Sequence, residues 1–264
     1  MTFVETAGLG LAAVLVFMTL VWLVSVLIRN AGIVDIFWGI GFLLAALTYF
    51  ALTDGFLARK ALVLPLVAVW SLRLFGYITS RNLGHAEDYR YRAWRERSPR
   101  DFWWISYFQV FLLQGFLLWV ISFPLLVAMH SEEPGRLTVV DALGSLLWAV
   151  GFLFEAVGDY QLARFKADPE NKGKVMRSGL WRYTRHPNYF GDATLWWGFF
   201  VIAAGVPWGW TTVFAPVLMT TLLLRVSGVA LLERTITKRR PEYADYAETT
   251  SAFLPWFPKR RPAA

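Results

Sequence analysis

The chain of 264 residues has no cysteine, three histidines and only 17% charged residues. The missing cysteines exclude a disulfide scaffold, thiol nucleophiles and thiolate metal sites. His85, His130 and His186 are scattered, with no His-Glu-x-x-His pair, so no metal is expected. There is no P-loop, and glycine and proline follow no period, which excludes collagen-like and low-complexity classes. The N-terminus lacks a basic region, so its apolar run reads as a retained first span rather than a cleaved signal.

What is present is apolar: 56% of the residues are hydrophobic, with 14 Trp, 21 Phe and 10 Tyr, too much for an ordinary soluble domain. Apolar runs of spanning length fall at 9–28, 33–52, 61–79, 107–128, 138–163, 190–206 and 208–232. They predict an all-α, integral membrane bundle of seven transmembrane helices. A packing patch is expected at Gly8-Leu9-Gly10, and a tight turn at Val206-Pro207-Trp208-Gly209.

Charge sets the expected orientation. Of 26 Lys and Arg, 21 lie at Arg29, in the loops 80–106 and 164–189, and in the tail from 233. Arg59, Lys60 and Arg136 lie on the opposite side, and Arg73 and Arg225 fall inside spans. The bias puts the N-terminus outside and the basic loops and C-terminus in the cytoplasm. The net charge of +7 thus reflects membrane topology, and no nucleic-acid partner is expected.

Ionisable groups within apolar runs are functional candidates. They are Asp35, Arg73, Glu155, Asp159, Asp192 and Arg225. Glu155 and Asp159 share a helical face, and Arg73 and Arg225 are cations that could oppose them. The loop 80–103 mixes cations, anions and aromatics and is expected to lie on the cytoplasmic leaflet. In 164–192, Lys166, Lys172, Lys174, Arg177, Arg182 and Arg185 precede a helix start at Pro187, a pattern suited to a multiply anionic ligand. Asn188 and Asp192, four apart, would point the same way as donor and acceptor.

The run Gly179-Leu180-Trp181-Arg182-Tyr183-Thr184-Arg185-His186-Pro187-Asn188-Tyr189-Phe190-Gly191-Asp192, preceded by Asp159-Tyr160 and followed by Pro241-Glu242-Tyr243-Ala244-Asp245-Tyr246, resembles the C-terminal signature of the steroid 5α-reductase family. The resemblance is strongest over 155–258. It implies one transmembrane reductase domain over 1–264, with a cofactor-binding half at about 139–258. NADPH would be held in a cavity open to the cytoplasm, and an apolar enone, a steroid or a related lipid, would enter from the bilayer of a monomeric protein. By position, Asp159, Lys166, Arg177, Asn188, Asp192 and Tyr246 would be cofactor contacts, with Arg81 or Asn82 after span three. Glu155, Arg164, Arg182, His186 and Tyr189 complete the expected cofactor set.

Asp35 matches the family carboxylate that acts on the substrate carbonyl, and burial would keep it neutral as a donor. The family's span-three tyrosine aligns with Trp70, whose indole donates a hydrogen bond but is no acid; Tyr77, Tyr89 and Tyr91 are the substitutes. The alternative on a similar bundle is an S-adenosylmethionine methyltransferase of the isoprenylcysteine carboxyl type, whose cofactor carries no phosphate.

Overall fold

The computed structural model describes residues 1–82, 84–226, 229, 233, 236 and 242–259, and these contain no strand. The helices are α1 (Phe3–Ile28), α2 (Ile33–Leu52), α3 (Leu57–Asn82), α4 (Tyr89–Arg97), α5 (Phe102–Ile121), α6 (Phe123–His130), α7 (Val139–Ala167), α8 (Pro187–Ala204), α9 (Gly209–Val226) and α10 (Glu242–Thr249). Six of them, α1, α2, α3, α5, α7 and α9, are long and apolar enough to cross a membrane. The chain is therefore an all-helical integral membrane protein. The run expected as a sixth span is α8, of 18 residues, whose polar first turns around Asn188 and Asp192 keep it outside that set. Residues 227, 228 and 230–232 of the last expected span lie outside the described residues.

Several helices overrun their apolar cores for local reasons. In α1, Thr2 and Glu5 form a capping box: Glu5 N–H donates to Thr2 Oγ1 at 3.3 Å, and Thr2 N–H to Glu5 Oε2 at 2.9 Å. The expected fourth span ends early, at Ile121, because Ser122 and Pro124 start a separate helix, α6.

The chain divides into two compact units, Met1–Asp141 with Ala203–Thr212, and Ala142–Ile202 with Val213–Ala264. In the first unit, α1 packs closely on α2 and α5. Gly10 lies under the Tyr49 ring, and Gly115 faces Met18, where a Cβ would come within 3.1 Å of Met18 Cγ. Gly8 faces open space, so the expected glycine patch is used at Gly10 alone. Tyr49 Oη and Ser122 Oγ share a buried hydrogen bond of 2.8 Å. The turn after Ala203 forms as expected: Gly209 N–H donates to Val206 O at 3.1 Å, with Trp208 in the left-handed region at φ 62°.

The first turn of α3 carries two buried cations where the helix dipole disfavours them. Both are answered. Arg59, 0% exposed, donates through Nε to Asp141 Oδ1 at 2.9 Å and through Nη2 to the carbonyls of Pro134 and Arg136, each at 3.1 Å. Lys60 donates to Thr53 O. Asp141 also accepts from Thr138 N–H at 2.7 Å. Two of the cations read from sequence as loop charge are thus interior structural groups.

The second unit is built on a glycine seam. Gly144, Gly151 and Gly158 on α7 recur every seven residues, as do Gly191 and Gly198 on α8. Their bare faces bring the two backbones together: a Cβ on Gly198 would sit 2.6 Å from Trp148 N, and one on Gly158 would sit 3.2 Å from Asn188 N. This close approach sets Asp159 beside the start of α8.

Candidate functional site

In the first unit the candidate chemistry gathers at the start of α2. The segment after α3 folds back so that Glu87 Oε1 accepts from Ala31 N–H at 2.7 Å while binding Arg95 Nη2 at 2.8 Å. Asp88 caps α4, accepting from Arg90 N–H at 2.9 Å. The segment expected to lie on the leaflet is therefore tied to the bundle through its own acids.

This fold delivers two side chains to Asp35. Arg90 Nη2 donates to Asp35 Oδ2 at 2.7 Å, and Tyr91 Oη donates to Oδ1 at 3.0 Å. Gln114 Nε2 donates in turn to Tyr91 Oη at 3.4 Å. Asp35 thus accepts two hydrogen bonds, one from a guanidinium and one from a phenol. Burial, and then the neighbouring Asp35 charge, push the Tyr91 phenol well above the ordinary tyrosine range. Burial alone would raise the Asp88 carboxyl, but the hydrogen bonds from Arg90 hold it below the usual carboxylate range.

Asp35, Trp38 and Phe42 follow one another along a face of α2. Trp38 meets Phe42 at 5.0 Å between centroids, and Phe42 meets Trp70 at 5.5 Å. Trp70 is fully buried, two turns from the carboxylate along an aromatic wall. Tyr89 is exposed at the start of α4. Arg81 and Asn82 close α3, with Arg81 Nε donating to Asn82 Oδ1 at 3.2 Å. Arg90 was not singled out from sequence; its signal is its place two residues after the Asp88 cap.

In the second unit, Glu155 and Asp159 are buried on α7 beside the first turn of α8, and Asn188 Nδ2 donates to Asp159 Oδ1 at 3.0 Å. Pro187 is the first residue of α8, as expected. The carboxylates sit where the helix dipole stabilises them. Asp192 is buried one turn further along α8. Of the two cations expected opposite the acids, Arg73 lies over the Tyr77 ring at 5.4 Å, and Arg225 is exposed in the last turn of α9.

The two residues before Pro187 are occupied by the C-terminal segment. Arg185 Nη2 lies 2.9 Å from Glu233 Oε1, and His186 Nε2 donates to the same oxygen at 3.1 Å. Arg185 Nη1 also donates to Ala247 O at 2.8 Å. Tyr246 donates to Trp181 O, and Trp181 Nε1 donates to Gly158 O at 3.0 Å. His186 lies parallel to Tyr189 at 5.7 Å. Glu233, which sequence reading did not single out, is the hub of this latch. Burial alone would raise its carboxyl, but the bonds from His186 and Arg185 hold it below the ordinary value of 4.5.

A depressed carboxyl stabilises above its unfolded value and loses that contribution as pH falls through its folded value. Amide exchange over Glu242–Thr249, corrected for intrinsic rates, should be flat from neutrality to about pH 4.5 and accelerate below it. Glu233→Gln should raise exchange at neutral pH and remove the acid transition.

The second unit also carries two clefts. One, of about 450 Å³, is lined by Arg177, Ser178, Arg182, Tyr246, Thr249 and Thr250. The other, of about 510 Å³, includes Lys166, Asn171, Lys172 and Lys174 over an apolar floor of Leu162, Phe165 and Met176. Arg177, Arg182 and Tyr246 thus converge on one cleft and Lys166 on the other, while Arg164, exposed on α7, bonds to Tyr160 Oη at 3.3 Å.

Comparison with known proteins places this geometry in context. The chain is 26% identical to an uncharacterized protein of Schizosaccharomyces pombe over 93% of its own length and 78% of that protein. Local stretches match a probable O-methyltransferase of Ustilaginoidea virens, at 39% identity over 24% of this chain and 22% of the relative. They also match the 3-oxo-5-alpha-steroid 4-dehydrogenase 1 of Rattus norvegicus, at 33% over 31% of this chain and 30% of the relative. No solved structure matches. Across residues 21–250 the sequence matches the protein family of unknown function DUF1295, and the chain belongs to that family.

Proposed function

We propose that this protein is a membrane reductase that uses NADPH to saturate the C=C bond of an α,β-unsaturated ketone in a steroid or similarly flat, apolar lipid. The observation that carries this reading is the Asp35–Tyr91 pair: a buried phenol that keeps its proton, backed by a carboxylate already paired with Arg90. The local similarity to 3-oxo-5-alpha-steroid 4-dehydrogenases supports the substrate class.

The donor set of the second unit fits the cofactor. Arg177 and Arg182, with the hydroxyls of Ser178, Thr249 and Thr250, suit phosphate oxygens, and the Lys166 cleft suits a further phosphate. Asn188, Asp159 and Asp192, at the polar start of α8, suit an amide or ribose hydroxyls. When bound, the reduced cofactor supplies a hydride.

The chain's own residues then manage charge and protons. Tyr91 turns its hydrogen from Asp35 to the substrate carbonyl oxygen, where negative charge develops as the β-carbon is reduced, and the resulting enolate takes its α-carbon proton from water to give the saturated ketone. Until the substrate arrives, Asp35, paired with Arg90, holds the phenol in place, and Gln114 donates to Tyr91 Oη. Trp38, Phe42 and Trp70 form an apolar wall for a flat ring system. We count α8 as a seventh span and place the basic loops and C-terminus in the cytoplasm.

The test is a titration of NADPH, NADH and S-adenosylmethionine against tryptophan fluorescence in detergent. Arg177→Ala and Arg182→Ala should each weaken NADPH by about 1 to 3 kcal/mol. Unchanged affinity in both would remove the phosphate assignment. A methyltransferase is the second reading, favoured by the similarity to a probable O-methyltransferase. It requires saturable S-adenosylmethionine binding that is indifferent to both arginines.

A further inference from the structure

The C-terminal segment is pinned by its backbone and by Phe253, whose ring meets Phe190 at 5.8 Å, while three other apolar side chains stay largely exposed. Arg185 N–H donates to Ser251 O, Trp256 N–H to Tyr183 O and Lys259 N–H to Thr249 O, each at 2.9 Å. Thr184 Oγ1 donates to Phe253 O at the same distance, 2.9 Å. Within this fixed stretch Leu254 is 66% exposed, Trp256 73% and Phe257 75%. Large apolar side chains gain by leaving water, so three left outward on a fixed frame indicate a surface that covers them.

The height of the segment along α7 identifies that surface. A helix of 29 residues is about 44 Å long, against a hydrocarbon core of about 30 Å, so its last turns stand at the headgroup level. Leu180 N–H donates to Gln161 Oε1 in those turns at 3.0 Å, and the stretch 183–185 that follows holds the C-terminal segment. Trp and Phe at that level, followed in the sequence by Lys259-Arg260-Arg261, match the aromatic and cationic composition of a membrane interface. Arg260 and Arg261 themselves lie outside the described residues.

We infer that Leu254, Trp256 and Phe257 insert into the headgroup layer of the leaflet that faces the basic loops, and that the adjoining cations select anionic lipid there. The occupant of this apolar face is the bilayer, not another protein.

The absence of cysteine makes the native chain a ready background for site-directed spin labels. Trp256→Cys and, as an aqueous reference on the exposed side of α10, Glu248→Cys are labelled in the full chain. Each is reconstituted into phosphatidylcholine nanodiscs with and without phosphatidylglycerol. The ratio of oxygen to nickel-chelate accessibility should be several-fold higher at 256 than at 248, and should rise further with phosphatidylglycerol. Replacing Lys259, Arg260 and Arg261 by Gln should abolish that rise. Equal ratios at 256 and 248 in both lipids would overturn the insertion, and an unchanged ratio on adding phosphatidylglycerol would overturn the anionic selection. Because Trp256 is mostly exposed, its replacement leaves the fold intact; a label at Leu254 gives an independent reading of the same depth.

Discussion

Tyr91→Phe is expected to lower turnover of a 3-oxo-Δ4 steroid or comparable enone by about 10²- to 10³-fold, the loss typical when one donor to a developing oxyanion is removed. The substitution removes one hydroxyl and leaves the ring, so Asp35 keeps Arg90 at 2.7 Å and the start of α2 keeps its tie to the α4 segment. NADPH affinity, assigned to residues of the second unit, should be unchanged, which separates lost chemistry from lost folding. Asp35→Asn should also impair turnover, because an amide leaves Arg90 without its anion and restrains the phenol less well. Since burial raises the Tyr91 phenol above its ordinary range, the wild-type rate should carry no tyrosine ionisation between pH 6 and about 9. A Tyr91→Phe protein with wild-type turnover would remove the phenol from the mechanism.

The second large effect concerns stability. Arg59→Met should destabilise the protein by about 3 to 5 kcal/mol, because it strands the Asp141 carboxylate inside the first unit. The carbonyls of Pro134 and Arg136 lose their donor in the same change. The double replacement Arg59→Met with Asp141→Leu removes both charges and should recover most of the loss. Thermal unfolding of the single and double variants in one detergent checks this. Equal, additive losses would mean that the two residues act separately.

The spanning helices were legible because a bilayer demands long apolar runs, a demand that leaves a continuous mark on the sequence. The ends were less so. Leu57 and the cations after it extend α3 only because Asp141, 82 residues on from Arg59, neutralises Arg59. The link between Asp35 and Arg90 spans 55 residues and follows no period, so Arg90 looked like one more cation of a mixed loop. The pairing of Arg185 and His186 with Glu233 is hidden for the same reason: Glu233 stands at the edge of an apolar run and carries no local signature. The glycine seam was visible at a spacing of seven, but five glycines among 20 stand out only once two helices are known to face each other.

Hydride delivery to an enone is read directly in the product. The most direct measurement supplies the purified protein in nanodiscs with C4-deuterated NADPH and a 3-oxo-Δ4 steroid, and weighs the product by mass spectrometry. With both C4 hydrogens of the cofactor replaced by deuterium, the expected product is a saturated ketone carrying one deuterium, lost in Tyr91→Phe. Unreduced enone from protein that binds NADPH, or a methylated product formed with S-adenosylmethionine instead, would contradict it.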